Sequence, residues 1–509
     1  MERDTVVVVG AGPTGLTLAC ALRSAGVPAR VIDAAEGPAT TSRALGLQPR
    51  GVEVLDRLGA LADLPERSLP VHQVIVSVSG RELTRLQVGQ RTRLGGHPGL
   101  LISQAEIEGA LRRRFAELGG DVEWGRAVTA VDQDVDSVVA RLGDGVTIRA
   151  NWLAGCDGAH SAVRKAAGIE FPGVPLVERF LIADVRADLD RPRDAVSVWL
   201  RGTGMLAAFP LPGDDLWRLM TPAPPGGPVD PDPVAVLTLM RERVAEEISR
   251  SVRAVEWTSS FQIHRRLAGT YRRGHVLLAG DAAHIHSPLG GQGMNTGIGD
   301  AENLAWKLAL VVTGRAGAGL LDTYQAERRP VAADVLGATS GATNLMFGDS
   351  AVARLLRDHL FVPLMNRPFV QRMIAERSSQ LLVSYRGGPL AGGVRRLSTP
   401  RPGDRIPDLP CHRADGTPTR LHAELRGQWA VLVPDGCARM DVARAWLGTS
   451  VTELAAESTA AGREALLVRP DGHLAWRGTD PAGLQRWLSG ALDRLAPSHV
   501  PAGTGMLPG

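Results

Sequence analysis

The sequence predicts an α/β chain built from more than one structural unit. Near the N-terminus a β-branched run, Thr5 to Val9, leads into a glycine-rich turn and a helix-like stretch, LTLACALRSAG. A second short strand, ARVID, then ends at Asp33. Between Arg179 and Ala223 the segments RFLIADVRADL, AVSVWLRGTGMLAAFPLP and DLWRLMTPA alternate apolar and polar residues, the period of half-buried strands. From Pro400 a new pattern opens with RPGDRIPDLPC and continues through WAVLVPD and EALLVRPDGHLAWRG.

Length and composition agree with that division. At 509 residues the chain is too long for one simple core. It is 44% apolar and 22% charged, as soluble globular proteins are. A net charge of only +3 gives no electrostatic footprint for nucleic acid. The four cysteines, Cys20, Cys156, Cys411 and Cys437, form no CxxC or zinc spacing, so no metal centre is expected. MERDTVVVVGAG lacks the basic and long apolar regions of a leader, and no run approaches a membrane span. A cytoplasmic protein with no membrane partner is expected.

The N-terminal motif reads strand, Gly10-Ala11-Gly12-Pro13-Thr14-Gly15, helix, strand and acid. Gly10 permits the tight turn, Gly12 lets the backbone approach a pyrophosphate, and Gly15 lets helix and strand pack closely. The helix N-terminus faces the anion, and Asp33 can accept hydrogen bonds from an adenosine ribose. This is a Rossmann-like dinucleotide site, which by itself does not separate FAD from NAD(P)H.

Two further stretches end strands in the same way. LAGCDGAHSAVR sets Asp157, Gly158, Ser161 and Arg164 at D-G-x-x-S-x-x-R spacing. GHVLLAG runs into GDAAHIHSPLGGQGMN, from Gly280 to Asn295, with Asp281 at the strand's carboxyl end. In open α/β sheets that edge is where ligands bind.

The three motifs in this order resemble the class A flavoprotein monooxygenases, which include para-hydroxybenzoate hydroxylase, phenol hydroxylase and aromatic-polyketide hydroxylases. SRALGLQPRGVEVLDRLG and ISQAEIEGALRRRF resemble further family elements, so the likeness spans roughly the whole chain. It implies FAD as cofactor, NADPH or NADH as transient reductant and O2 as co-substrate. Asp33, where the family more often has Glu, would bind the ribose. Arg43 and Gln104 would contact the diphosphate and ribityl region, and the Val128 backbone the adenine. Asp281 would bond the ribityl chain, while Pro288 and the loop Gly290, Gly291, Gln292, Gly293, Met294 and Asn295 would border the flavin ring. Asp157 and Arg164 belong to a motif linked in the family to FAD and NAD(P)H, and would act mainly by holding the fold.

The histidines of GDAAHIHSPLGGQGMN admit other readings. His284 and His286 share a strand face, but no third metal ligand stands at motif spacing. A catalytic His/Asp pair would need a nucleophile, and no G-x-S-x-G elbow is present. Under the flavin reading both histidines merely flank a loop. The helix that follows, MNTGIGDAENLAWKLALVV, carries Met294, Ile298, Ala301, Ala305, Leu308 and Val312 as an apolar stripe. Its positive end would favour the negative charge of a reduced flavin.

The expected units are a discontinuous FAD-binding domain (1–75, 100–172 and 270–345), a substrate-binding mixed sheet (76–99 and 173–269), a helical connector (346–395) and a C-terminal unit (396–509). By resemblance the last is thioredoxin-like, with a packing or dimerisation role because it lacks CxxC. Trp199, Met205, Phe209, Trp217 and Met220 are candidates to line the substrate chamber, with core packing the competing reading for each. One Rossmann fingerprint alone implies that the nicotinamide docks transiently. The implied cycle is reduction of FAD, addition of O2 at flavin C4a and transfer of OH from the hydroperoxide to an electron-rich ring, with no side chain acting as nucleophile. A bulky polycyclic aromatic, such as a polyketide, is the substrate the resemblance implies, for a monomer or homodimer. Baeyer–Villiger insertion, a flavin dehydrogenase or reductase without oxygen transfer, and a non-catalytic scaffold are the alternatives.

Overall fold

In the computed structural model, residues 4–40, 44–78, 81–87, 95–201, 204–223, 252–285, 291–347, 367–392, 400–433, 438–456 and 464–493 are described, with a few isolated positions between 232 and 240 and at 364. The first sheet places Val276–Leu278, Thr147–Gly155, Asp4–Val9, Ala29–Ile32 and Val122–Glu123 side by side, all parallel. Arg272–Arg273 adds an antiparallel edge, and the hairpin Val128–Gln133/Val138–Leu142 extends Thr147–Gly155. Strands buried on both faces read as continuous apolar runs. Val6, Val7 and Val8 are accordingly completely buried. Helix Pro13–Ser24 packs against helices Gln104–Glu117 and Gly293–Val312 beside this sheet.

Parallel pairing has one consequence for the site. The carboxyl ends of four neighbouring strands, leading to Gly10, Asp33, Cys156 and Ala279, emerge at the same edge. Motifs far apart in sequence thereby meet.

The second sheet orders His284–Ile285, Val252–Leu267, Gly173–Ala187, Leu216–Pro222, Gly204–Pro210, Ala195–Arg201, Gln73–Val78 and Arg81–Gln87. Its pairs are antiparallel except Ala195–Arg201 with Gln73–Val78, so the sheet is mixed. Its strand Gln73–Val78 starts ahead of the boundary expected at residue 76. The strand expected over His275 to Gly280 is limited to Val276–Leu278, because Gly280–Ala282 forms a 3-10 turn.

After helices Asp322–Phe347 and Pro368–Ser378, a third sheet orders Pro418–Arg420, Pro410–Arg413, Val451–Ala456, Trp429–Val433, Ala465–Val468 and Leu474–Gly478. Trp429–Val433 and Val451–Ala456 are parallel across helix Ala438–Leu447, and two antiparallel strands and helix Pro481–Ala491 follow. That order is thioredoxin-like. Trp306 and Leu310 of helix Gly293–Val312 join Trp429, Val431, Met440 and Leu488 in one hydrophobic cluster, so this unit shares a core with the first. Among the described residues no helix is long and apolar enough to cross a membrane.

Candidate active site

The glycine-rich turn is built by close approach. Gly10 has φ +106°, and a Cβ there would strike the Cys156 carbonyl; one on Gly15 would strike the Gly10 carbonyl. Above Gly12 the space is open, since a Cβ there would meet nothing within 4 Å. Helix Pro13–Ser24 starts with Pro13 in its first turn, no side-chain cap and no acid. An uncapped helix N-terminus beneath open space is a fit for a pyrophosphate.

Asp33 closes the turn. Its Oδ2 accepts the Ala11 N–H at 2.6 Å and its Oδ1 the Ala35 N–H at 2.8 Å. A shorter acid than Glu folds back onto the backbone here, and each oxygen keeps a second lone pair for a ribose hydroxyl. Gln104 begins helix Gln104–Glu117, and its Nε2 donates to Glu108 Oε1 at 2.8 Å. Burial raises the Glu108 carboxyl above its usual range, and Asp33 nearby adds to the rise. Val128 opens the hairpin strand, two residues beyond Arg126, whose N–H donates to the Asp33 carbonyl at 2.7 Å.

The D-G motif is internal scaffolding. Asp157 accepts from Ser161 Oγ at 2.5 Å and from the Val163 N–H at 3.0 Å, fixing the start of helix Ala162–Ala166. Arg164 donates to the carbonyls of Ala282 at 2.9 Å and Ala159 at 3.0 Å, with its guanidinium 3.8 Å from the Phe171 ring centroid. The middle motif therefore grips the turn that carries Asp281.

The Asp281 side chain is exposed to solvent, although protein atoms crowd around its carboxyl. Burial pushes its carboxyl above the ordinary range; His284 pulls it down and Asp300 pushes it further up. Behind it, Thr14 fills the gap between Gly280, at φ +62°, and Gly297, where side chains would collide with it. Thr14 thus joins the first helix, the Gly280–Ala282 turn and helix Gly293–Val312.

That helix is capped by neither side chain nor acid. Gln292 is its N-cap residue, Gly293 its first residue, and Met294 packs partly buried against the main core. Asn295 ties the preceding loop down: its Oδ1 accepts the Gln48 N–H at 2.8 Å, and its Nδ2 donates to Gly291 O at 2.9 Å and Gly46 O at 3.3 Å. Arg43, His286, Pro288 and Gly290 lie outside the described residues.

His284 corrects an expectation. It does more than flank a loop, for it sits on strand His284–Ile285, fully buried, with Nε2 2.6 Å from Asp300 Oδ2. Asp300 and Arg328, which hold it, were not singled out in the sequence. Gly297 and Gly299 were the available signal, because glycine inside a helix is unfavourable unless something approaches closely.

The chamber candidates do not share a face. Strand pairing puts Met205, Phe209 and Met220 on one side of the second sheet, near Val74, Val78 and Val198. Trp199 and Trp217 point to the other, into a closed cluster with Leu206, Val236 and Met240, beneath Arg191 and Arg193. The two tryptophans are core residues, because side chains alternate along a strand.

The FAD binding domain model matches residues 3–339, and the model for the aromatic-ring hydroxylase C-terminal region matches 399–496. The chain is 35% identical to rifampicin monooxygenase of Rhodococcus hoagii over 501 residues, 96% of this chain and 98% of that one. It is similar to the solved OxyS anhydrotetracycline hydroxylase from Streptomyces rimosus, with TM-score 0.81 and 34% identity, covering 97% of this chain and 100% of that one. It is also 31% identical to dialkyldecalin synthase of Streptomyces rugosporus, over 96% of this chain and 99% of that one. The chain belongs to the family of FAD-dependent aromatic-ring monooxygenases.

Proposed function

We propose that this enzyme is a cytoplasmic monooxygenase that uses FAD, NAD(P)H and O2 to hydroxylate a bulky polycyclic aromatic substrate of polyketide type. The observation that carries the reading is the convergence of four parallel strand ends and two uncapped helix N-termini on one edge. Gly10 to Gly15, with Arg43 and Gln104, would hold the diphosphate of FAD. Asp33 would hold the ribose, Val128 the adenine and Asp281 the ribityl chain. Pro288 and Gly290 to Asn295 would border the ring. Bound there, FAD supplies electron transfer from NAD(P)H and activation of O2 for delivery of one oxygen atom.

The chain's own residues position and shield. The positive end of helix Gly293–Val312 would favour the negative charge that the flavin ring carries when reduced. Asp157 and Arg164 hold the Asp281 turn from behind. Met205, Phe209 and Met220, on one face of the second sheet, would form the apolar wall that keeps water from the reacting centre. The cofactor unit comprises 1–75, 100–172 and 270–345, with the mixed sheet inserted and 396–509 as a packing unit, in a monomer or homodimer.

The test is purification followed by turnover of polycyclic phenols with NADPH or NADH under 18O2. The reading expects a yellow protein and a product one 18O heavier, with NMR showing a ring hydroxyl. An inserted lactone, of the same added mass, supports the Baeyer–Villiger alternative. A product of unchanged mass, as ring formation would give, contradicts oxygen transfer. A protein that takes up no FAD overturns the reading altogether.

A further inference from the structure

Asp300 lies on helix Gly293–Val312 and is completely buried. Its Oδ2 accepts the Gly280 N–H at 3.2 Å and faces His284 Nε2 at 2.6 Å, so the imidazole carries its hydrogen on Nε2. Its Oδ1 accepts Arg328 Nε at 2.7 Å. One carboxylate thus grips both ends of the turn that presents Asp281. Burial works against its charge, and His284 and Arg328 outweigh burial, holding the carboxyl below its ordinary range.

Arg328 extends the chain of contacts. It comes from helix Asp322–Phe347 and uses all three guanidinium nitrogens: Nε on Asp300, NH2 on the Thr296 carbonyl at 3.0 Å and NH1 on Tyr385 Oη at 3.1 Å. Thr296 lies in the first turn of helix Gly293–Val312, and Gln380 Nε2 donates to its Oγ1 at 3.1 Å. Tyr385 in turn leans on the C-terminal unit. Its N–H donates to the Gly403 carbonyl at 2.8 Å, and its ring lies 4.3 Å from the His473 ring, centroid to centroid.

We infer that Asp300, Arg328 and Tyr385 form a buried strut by which the C-terminal unit fixes the Asp281 turn against the N-terminus of helix Gly293–Val312. These are positioning residues: they touch the turn and the helix end, and act on FAD only through them. The inference rests on the flavin reading above. It gives the C-terminal unit, which has no CxxC, a part in shaping the cofactor site. The fork geometry of Arg328 is essential, because a lysine would replace three directed bonds by one point charge.

The experiment compares wild type, Asp300→Asn, Arg328→Lys and Tyr385→Phe, with Leu488→Ala in the C-terminal core as a control for stability loss alone. Apoprotein is titrated with FAD by flavin fluorescence, the visible spectrum and midpoint potential of bound FAD are recorded, and apoprotein melting is measured. Asp300→Asn and Arg328→Lys should weaken FAD binding roughly tenfold, because each loosens the turn and the helix end that would hold FAD. Both should shift the spectrum or potential of the FAD that does bind. Tyr385→Phe, which removes one oxygen atom, should do the same more weakly. Leu488→Ala should lower the melting temperature while leaving affinity, spectrum and potential at wild-type values. If the three strut variants behave like Leu488→Ala, the inference is overturned and the flavin reading stands. If Asp300→Asn does not fold, Tyr385→Phe decides the matter by the same readouts. If wild type binds no FAD, the flavin reading and the inference fall together.

Discussion

Two polar regions of this molecule are built on opposite plans. In the proposed cofactor cradle, side chains bond backbone: Asp33 to the Ala11 N–H, Asp157 to the Val163 N–H, Arg164 to the Ala282 carbonyl, and Asn295 to Gln48, Gly46 and Gly291. At the junction with the C-terminal unit, side chains bond side chains. Arg405 pairs with Glu53, Arg57 and Arg50 with Glu302, and Arg469 with Glu327 and Asp471, nearly all buried. The first plan fixes loop shape for a ligand. The second neutralises charge within the two units and, at Arg405–Glu53 and Arg469–Glu327, between them, where loss of a partner leaves buried charge less compensated.

The largest expected effect lies in the cradle's backbone. Gly15→Val would drive a branched side chain into the Gly10 carbonyl, and should abolish soluble, FAD-binding protein, as expression and flavin content would reveal. At the junction, Glu327→Ala leaves the buried Lys307 without its carboxylate and Arg469 with Asp471 alone, and should cost about 3–5 kcal/mol in urea unfolding. If it costs no more than a surface pair, the contrast drawn here fails.

Asn295→Ala sharpens the comparison from the other side. It should cost only about 1–3 kcal/mol of stability, the range for stranded backbone partners, yet reduce FAD affinity clearly in a fluorescence titration. Equal affinity would remove Asn295 from the cradle. Smallest of all, Glu123→Gln at the half-exposed Arg30 pair should change stability by about 0–1 kcal/mol.

Acid should attack the junction in two stages. Burial, with Arg57 beside it, holds the His422 imidazole well below its ordinary value. Its unfolded form takes up a proton first, so stability falls as pH drops through about 6.5. Burial opposes the Glu53 and Glu327 carboxylates, but Arg405 and Arg469 respectively lead the groups that bring each to about 2. Their contribution is present above the unfolded value near 4.5 and is lost as pH falls toward 2. Urea midpoints measured from pH 8 to pH 3 should therefore fall in both windows, and His422→Leu should shrink the upper one only, leaving the part due to the similarly buried His473.

The contrast also explains what the sequence made legible. Gly10, Gly12 and Gly15 stand in one local pattern, as do Asp157 with Ser161, because backbone geometry imposes short spacings. The parallel sheet followed from the same motif. Glu53 and Arg405 stand 352 positions apart, and Glu327 and Arg469 stand 142 apart; no local spacing marks either pair. His284 misled for a related reason. Its meaning depends on Asp300, and through Asp300 on Arg328, which come together only after the helices pack. Trp199 and Trp217 were read by residue type, whereas strand register decides the face.

A cavity of about 180 Å³ lies between the units, lined by Ala21, Arg57, Trp306, Arg315, Trp429 and Ser450, toward the far ends of the helices that start at the cradle. Hydrogen–deuterium exchange of the apoprotein with and without FAD separates the two places directly. The account predicts that FAD slows exchange together at residues 10–16, 280–285 and 291–297, while the cavity lining around Ala309 and Ser450 is unchanged. Protection centred on the cavity, or protection of only one of the three cradle segments, would contradict a single cofactor site at the common edge of the parallel strands.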